Sequence, residues 1–118
     1  MNTTVLIVDD HETFRSFARA LLESEGFDVV GEAEDGTSGV ALVERLGPDL
    51  VVLDVQLPDI SGFEVLAKVR ADGDPTPVVL TSSRDAASYG DQVGSSGAVG
   101  FIPKGELSGQ AIRALLEE

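Results

Sequence analysis

Apolar residues run along this chain in two rhythms that alternate. Short β-branched blocks, such as TVLIV at Thr4 to Val8, read as strands. Between them, apolar residues recur every three or four positions, which is one face of a helix. From Asp10 to Gly26, Phe14, Phe17, Ala18, Leu21 and Leu22 fall on such a face, and Gly26 supplies a helix stop. Phe27 to Ala33 reads as the second strand. Asp35 or Thr37 then caps a second helix, with Val40, Val43 and Leu46 inward and Gly47-Pro48 ending it. Leu50 to Leu53 is the third strand. Ser61 caps a third helix carrying Phe63, Leu66 and Val69. The turn-rich loop Ala71 to Pro77 leads into a fourth strand, Val78 to Leu80. Residues 85–96 make a weak helix, because Gly90 and Gly94 each cost about 1 kcal/mol relative to Ala and Ala86, Tyr89 and Val93 form only a thin apolar face. Ala98 to Ile102 is the fifth strand. Leu107, Ala111, Ile112, Leu115 and Leu116 line a last helix.

Five strands alternating with five helices predict an α/β fold. Strands this apolar are expected to be buried on both faces, in a doubly wound parallel sheet with helices on either side. In such a sheet, the strand ends that precede helices share one edge, where ligands bind. The polar residues that interrupt the apolar blocks fall there: Asp9-Asp10, Asp54, Thr81-Ser82 and Pro103-Lys104.

The chain has 118 residues, which fits a single domain over 1–118. It has no Cys, so disulfide and thiol chemistry are excluded. No apolar run approaches the roughly 20 residues that span a bilayer, and no basic stretch followed by an apolar core marks a secretory leader. The expected location is the cytoplasm. A net charge of −13 argues against this domain gripping nucleic acid, and Lys104 is one of only two lysines.

Three carboxylates gathered on one edge repel and raise one another's pKa. A cation relieves them, and an oxygen donor set suits Mg2+. Adding a lysine ammonium and a hydroxyl beside one strand-end carboxylate gives a pocket for a phosphoryl group. Asp9 with Glu12 also fits a capping box for the first helix. His11 begins an exposed helix turn and is assigned neither a phosphoryl-carrying nor a metal role.

The ordered set VLIVDD, VVLDVQLPDISG, VVLTSS and GFIPK resembles the receiver domains of two-component response regulators, over the whole chain. The resemblance implies a five-stranded flavodoxin-like sheet. It also implies transfer of a phosphoryl group from a partner histidine kinase to Asp54, with Mg2+ required. It places Mg2+ on Asp9, Asp10, Asp54 and the backbone carbonyl of Gln56. Thr81 matches the switch hydroxyl, Ser82 being the alternative; Lys104 pairs with the phosphoryl group, and Phe101 occupies the aromatic switch position. Gln56 and Ser83, each two residues past a site residue, are expected to tune phosphoryl lifetime. Where the family commonly has Pro after the lysine, Gly105 stands here. Stretches such as GEAEDG and GFIPK are similar to receivers that precede a helix-turn-helix DNA-binding domain, and imply transcription regulation and a homodimer formed on phosphorylation. Two rivals stand beside this reading. A phosphatase forming an aspartyl phosphate is disfavoured because Gln56 occupies its usual acid/base position. An inactive receiver kept as a binding module is disfavoured by the complete residue set.

Overall fold

The computed structural model describes residues 2–117. Its elements run β1 (Thr4–Val8), α1 (Glu12–Ser24), β2 (Asp28–Ala33), α2 (Gly36–Leu46), β3 (Leu50–Asp54), α3 (Gly62–Ala71) and β4 (Val78–Ser82). A 3-10 turn (Ala86–Tyr89), α4 (Gln92–Ser95), β5 (Gly100–Pro103), a second 3-10 turn (Lys104–Glu106) and α5 (Gly109–Leu116) complete it. All strand pairs are parallel and the sheet order is β2-β1-β3-β4-β5. The chain leaves β1 for β2 on one side and returns to β3 on the other. The ends of β1 and β3 therefore flank the crevice at the reversal of strand order.

Two apolar layers sandwich the sheet. Ala18 and Leu22 of α1 and Ile112 of α5 pack on Val5, Ile7, Val52 and Val79. On the opposite face Val43 of α2 and Val65, Leu66 and Val69 of α3 pack on Leu6, Val8, Leu53 and Leu80. Each fully buried aliphatic side chain contributes about 1.5–3 kcal/mol. Local chemistry punctuates the helices as expected. Asp35, and not Thr37, caps α2 by accepting from the Ser38 N–H at 2.8 Å, and Gly47 closes it in the left-handed region at φ 55°. Ser61 and Glu64 form a capping box on α3.

The structure corrects the sequence reading in several places. Phe17 is 54% exposed, because Ala18 and Leu22 take the centre of the buried face and push Phe17 to its margin. Leu46 is also exposed; it ends α2 and lies over Gly31 of the edge strand β2, with no further strand beyond it. For the same reason β2 is not buried on both faces, and Val30 faces solvent. β5 starts at Gly100, not Ala98, because the Ala98 N–H is taken by the Ser96 hydroxyl in a turn. β3 and β4 each run slightly longer than expected, taking in Asp54 and Thr81-Ser82. The weak fourth helix is split into the first 3-10 turn and α4, four residues each.

Candidate functional site

The four polar strand ends do meet. Asp54, the last residue of β3, is 2% exposed, and Asp9, just past β1, is 1% exposed. Lys104 reaches over from the end of β5 and places Nζ 2.7 Å from Asp9 Oδ2 and 3.3 Å from Asp54 Oδ2. It also stacks 4.6 Å from the Phe14 ring centroid, a cation–π contact that steadies the ammonium. Asp10 is more open, with a third of its side chain exposed.

Backbone contacts lock the acids in place. The Asp9 N–H donates to Ala33 O at 2.9 Å. Arg15, ion-paired to Glu32 on β2, donates from Nη1 to the Asp9 carbonyl at 2.7 Å. The Asp9 side chain turns onto its own chain, Oδ1 accepting from the His11 N–H at 2.8 Å. The capping box of Asp9 with Glu12 does not form: α1 starts at Glu12, with His11 as the preceding cap residue and no side-chain cap bond. Asp54 Oδ1 accepts from the Gln56 N–H at 3.2 Å.

The loop after Asp54 is held from both sides. Gly62 packs so close that a Cβ there would lie 2.4 Å from the Asp54 carbonyl oxygen, so only glycine lets α3 begin against the end of β3. Asp59 accepts from the N–H groups of Gly36 and Thr37 and from the Thr37 hydroxyl, tying the loop to the start of α2. The hydroxyl bond from Thr37 leads the set that holds the Asp59 carboxyl far below its ordinary range.

Electrostatics follow from burial. Burial, then repulsion from Asp9, pushes the Asp54 carboxyl up to about 6; Lys104 and the Gln56 N–H pull the other way. Burial pulls the Lys104 ammonium down, but its hydrogen bond to Asp9 and the charge of Asp54 outweigh that, and its pKa ends up raised. Lys104 thus offsets part of the repulsion between two close buried carboxylates. One ligand atom each from Asp9, Asp10, His11 and Asp54 lies within 4.8 Å of the others, a spacing that can hold a metal ion. The orientation of Asp9 Oδ2, buried and among the described residues engaged only by the lysine ion pair, fits a cation at the same edge.

Thr81 lies directly across from Asp54 in the β3/β4 ladder. It is fully buried and its Oγ1 has no hydrogen-bond partner among the described residues. Ser82, by contrast, is already engaged: its hydroxyl accepts from the Arg84 N–H at 3.0 Å and meets the Tyr89 hydroxyl at 2.6 Å. Phe101 is half-buried on β5, its ring centroid 6.0 Å from that of Tyr89, which in turn packs edge-on against Phe63. Gln56 and Ser83 are both exposed, Ser83 in a groove with His11, Phe14, Phe17 and Lys104. The structure therefore brings Asp9, Asp10, Asp54 and Lys104 together and sets Thr81 beside them, while Phe101 stands one layer away.

Sequence reading missed three participants. His11 is exposed as expected, yet its Nδ1 lies 3.1 Å from Asp9 Oδ1 and 3.2 Å from Asp10 Oδ1. Tyr89 is the hydroxyl partner of Ser82 and the ring partner of Phe101. Asp59 ties the loop after Asp54 to the start of α2. The only available signal for His11 was adjacency to two acids; nothing local marked Tyr89.

Comparison with known proteins agrees with this fold. Residues 5–117 match the response regulator receiver domain family. The chain is 37% identical over 114 residues to BvgA of Bordetella pertussis, described as a positive transcription regulator of virulence factors, covering 97% of this chain and 54% of that protein. It is 33% identical over 109 residues to the transcriptional regulatory protein DegU of Brevibacillus brevis, covering 92% and 46%. Among solved structures, the signal receiver domain of the response regulator NarL of Mycobacterium tuberculosis superposes with a TM-score of 0.86 at 36% identity, covering 98% of this chain and 94% of that one. The chain spans about half the length of the curated relatives it matches. No helix among the described residues is long and apolar enough to cross a membrane.

Proposed function

The chain belongs to the response regulator receiver domain family, and on that premise we propose that Asp54 is the residue that accepts a phosphoryl group. The domain signals; it is not a turnover enzyme. The observation that carries the assignment of Asp54 is the convergence on it of Lys104, at 3.3 Å, and of the buried Asp9. A partner sensor kinase, phosphorylated on histidine, is the donor. An Asp54 carboxylate oxygen forms a bond to phosphorus as the P–N bond breaks, and the kinase imidazole leaves with the electron pair. Chemistry here is mostly positioning and charge stabilisation.

Each residue then has a role. Lys104 stands ready to pair with a phosphoryl oxygen, because its ammonium already sits on Asp54 Oδ2. Asp9, Asp10, Asp54 and the Gln56 carbonyl would hold Mg2+, which when bound neutralises charge on the transferring group. The free hydroxyl of Thr81, in preference to that of Ser82, closes on the phosphoryl group. Movement of Thr81 is coupled to Phe101, biasing the surface made by α4, β5 and α5 between two states. Gln56 and Ser83 meter the attack of water and so the slow self-catalysed loss of the group. Residues 1–118 act as one receiver unit in the cytoplasm, serving a transcription-regulating output as the relatives' names suggest, with a homodimer formed on phosphorylation.

The test is intact mass after incubation with acetyl phosphate and Mg2+. Wild type gains one phosphoryl group and Asp54→Ala gains none. Equal gain by Asp54→Ala would overturn the assignment.

A further inference from the structure

We propose that His11 is a nitrogen ligand for the cation held by Asp9, Asp10 and Asp54, and that it shifts the preference of the site toward first-row transition ions such as Zn2+ and Co2+. This rests on the reading of those three acids as the cation site and adds to it a ligand and a selectivity.

Three observations meet on this ring. Its Nδ1 lies 3.1 Å from Asp9 Oδ1 and 3.2 Å from Asp10 Oδ1, and it completes the four-atom group with Asp54 within 4.8 Å. The ring's backbone is anchored, because the His11 N–H donates to the same Asp9 oxygen at 2.8 Å. Finally, the edge already draws a positive group: the Lys104 ammonium lies 2.7 Å from Asp9 Oδ2, 3.3 Å from Asp54 Oδ2 and 3.5 Å from His11 Nδ1. A carboxylate accepts only, so toward Asp9 and Asp10 the Nδ1 is the donor, and a cation seated between the three groups would take the place of that proton. The lone pair so freed, beside the same carboxylates, is a metal donor. Asp9 is 1% exposed, so its carboxylate cannot turn away to water and leave the ring alone.

The ring matters for selectivity because the ions differ. Mg2+ takes oxygen ligands and keeps its waters, so an imidazole adds little. Zn2+ and Co2+ take imidazole readily, and for them His11 adds a ligand. The chain has no Cys and only this one His, so no other nitrogen or sulfur side chain of these ligand types competes for such ions.

That single histidine also makes the test clean. The long-range 1H–15N NMR spectrum of the imidazole contains one residue. Adding Zn2+ to the whole chain is expected to shift Nδ1 strongly, while Mg2+ leaves it nearly in place. By calorimetry, His11→Ala should weaken Co2+ and Zn2+ binding by about tenfold or more, the scale on which loss of even an outer partner weakens a metal site, with Mg2+ affinity almost unchanged. His11→Asn places a good helix-capping residue at this position and should behave like His11→Ala, which separates ligation from any fold defect. An unmoved Nδ1 with Zn2+, or equal loss of Zn2+ and Mg2+ in both variants, overturns the role of His11. Mg2+ binding that survives Asp10→Asn overturns instead the acid-site reading beneath it.

Discussion

At the scale of the residue, Asp54 shows function opposing stability. Its carboxyl is raised from 3.8 to about 6 by burial and by Asp9. The folded state therefore holds this proton more tightly than the unfolded chain does. The group's contribution to stability is full below about pH 4 and is lost as pH rises through about 6. A shift of this size corresponds to about 2–3 kcal/mol. In metal-free buffer, Asp54→Asn should then be more stable than wild type at pH 7 by about 2 kcal/mol, with the gain shrinking toward zero by about pH 4. Urea unfolding across that range measures it; a difference that does not change with pH would contradict the account. The site carboxylates and Lys104 were legible because each breaks an apolar block at a strand end. The inward-facing nitrogen of His11 was not, since its direction depends on the turn that Asp9 makes onto the His11 backbone.

At the scale of the element, the segment after β4 stands apart. The other helices have a buried apolar face, whereas the first 3-10 turn and α4 contain no buried residue. Gly90 divides them with φ 58° and ψ −131°, a conformation that other residues adopt only with strain. Gly94 sits within α4 with open space where a side chain would go. Gly94→Ala should therefore raise helicity and stabilise the domain by up to about 1 kcal/mol, whereas Gly90→Ala should destabilise it by about 1–3 kcal/mol. Circular dichroism and chemical denaturation of the two variants distinguish these signs. A segment with so few buried contacts opens at low cost, which suits a surface that changes with phosphorylation. Helix propensity exposed its weakness in the sequence. Its link to the site did not show, because the contacts of Tyr89 with Ser82 and Phe101 join β4, the turn and β5 across 7 and 12 residues of chain.

At the scale of the whole molecule, a charge of −13 is spread over a body about 30 Å across. At about 0.01 M salt the screening length is about 30 Å, so all the surface acids repel one another; at about 1 M it is about 3 Å. Raising NaCl over that interval should raise the melting temperature at pH 7. Near pH 4.2, the pI of the chain, the effect should vanish. Absence of a rise at pH 7 would mean that local pairs such as Lys104 with Asp9 already absorb the repulsion. The period of the apolar residues by itself determined the alternation of strands and helices, and with it a parallel sheet whose polar ends share one edge. Period is a local property, set by which face of each element must leave water. Only the tertiary structure decided which strands are edges, and so why Val30 and Leu46 are exposed. It alone decided that Lys104 bridges Asp9 and Asp54, that Thr81 and not Ser82 keeps a hydroxyl free of partners among the described residues, and that His11 turns its nitrogen inward. Those outcomes depend on contacts between elements distant in the chain, which no local pattern encodes.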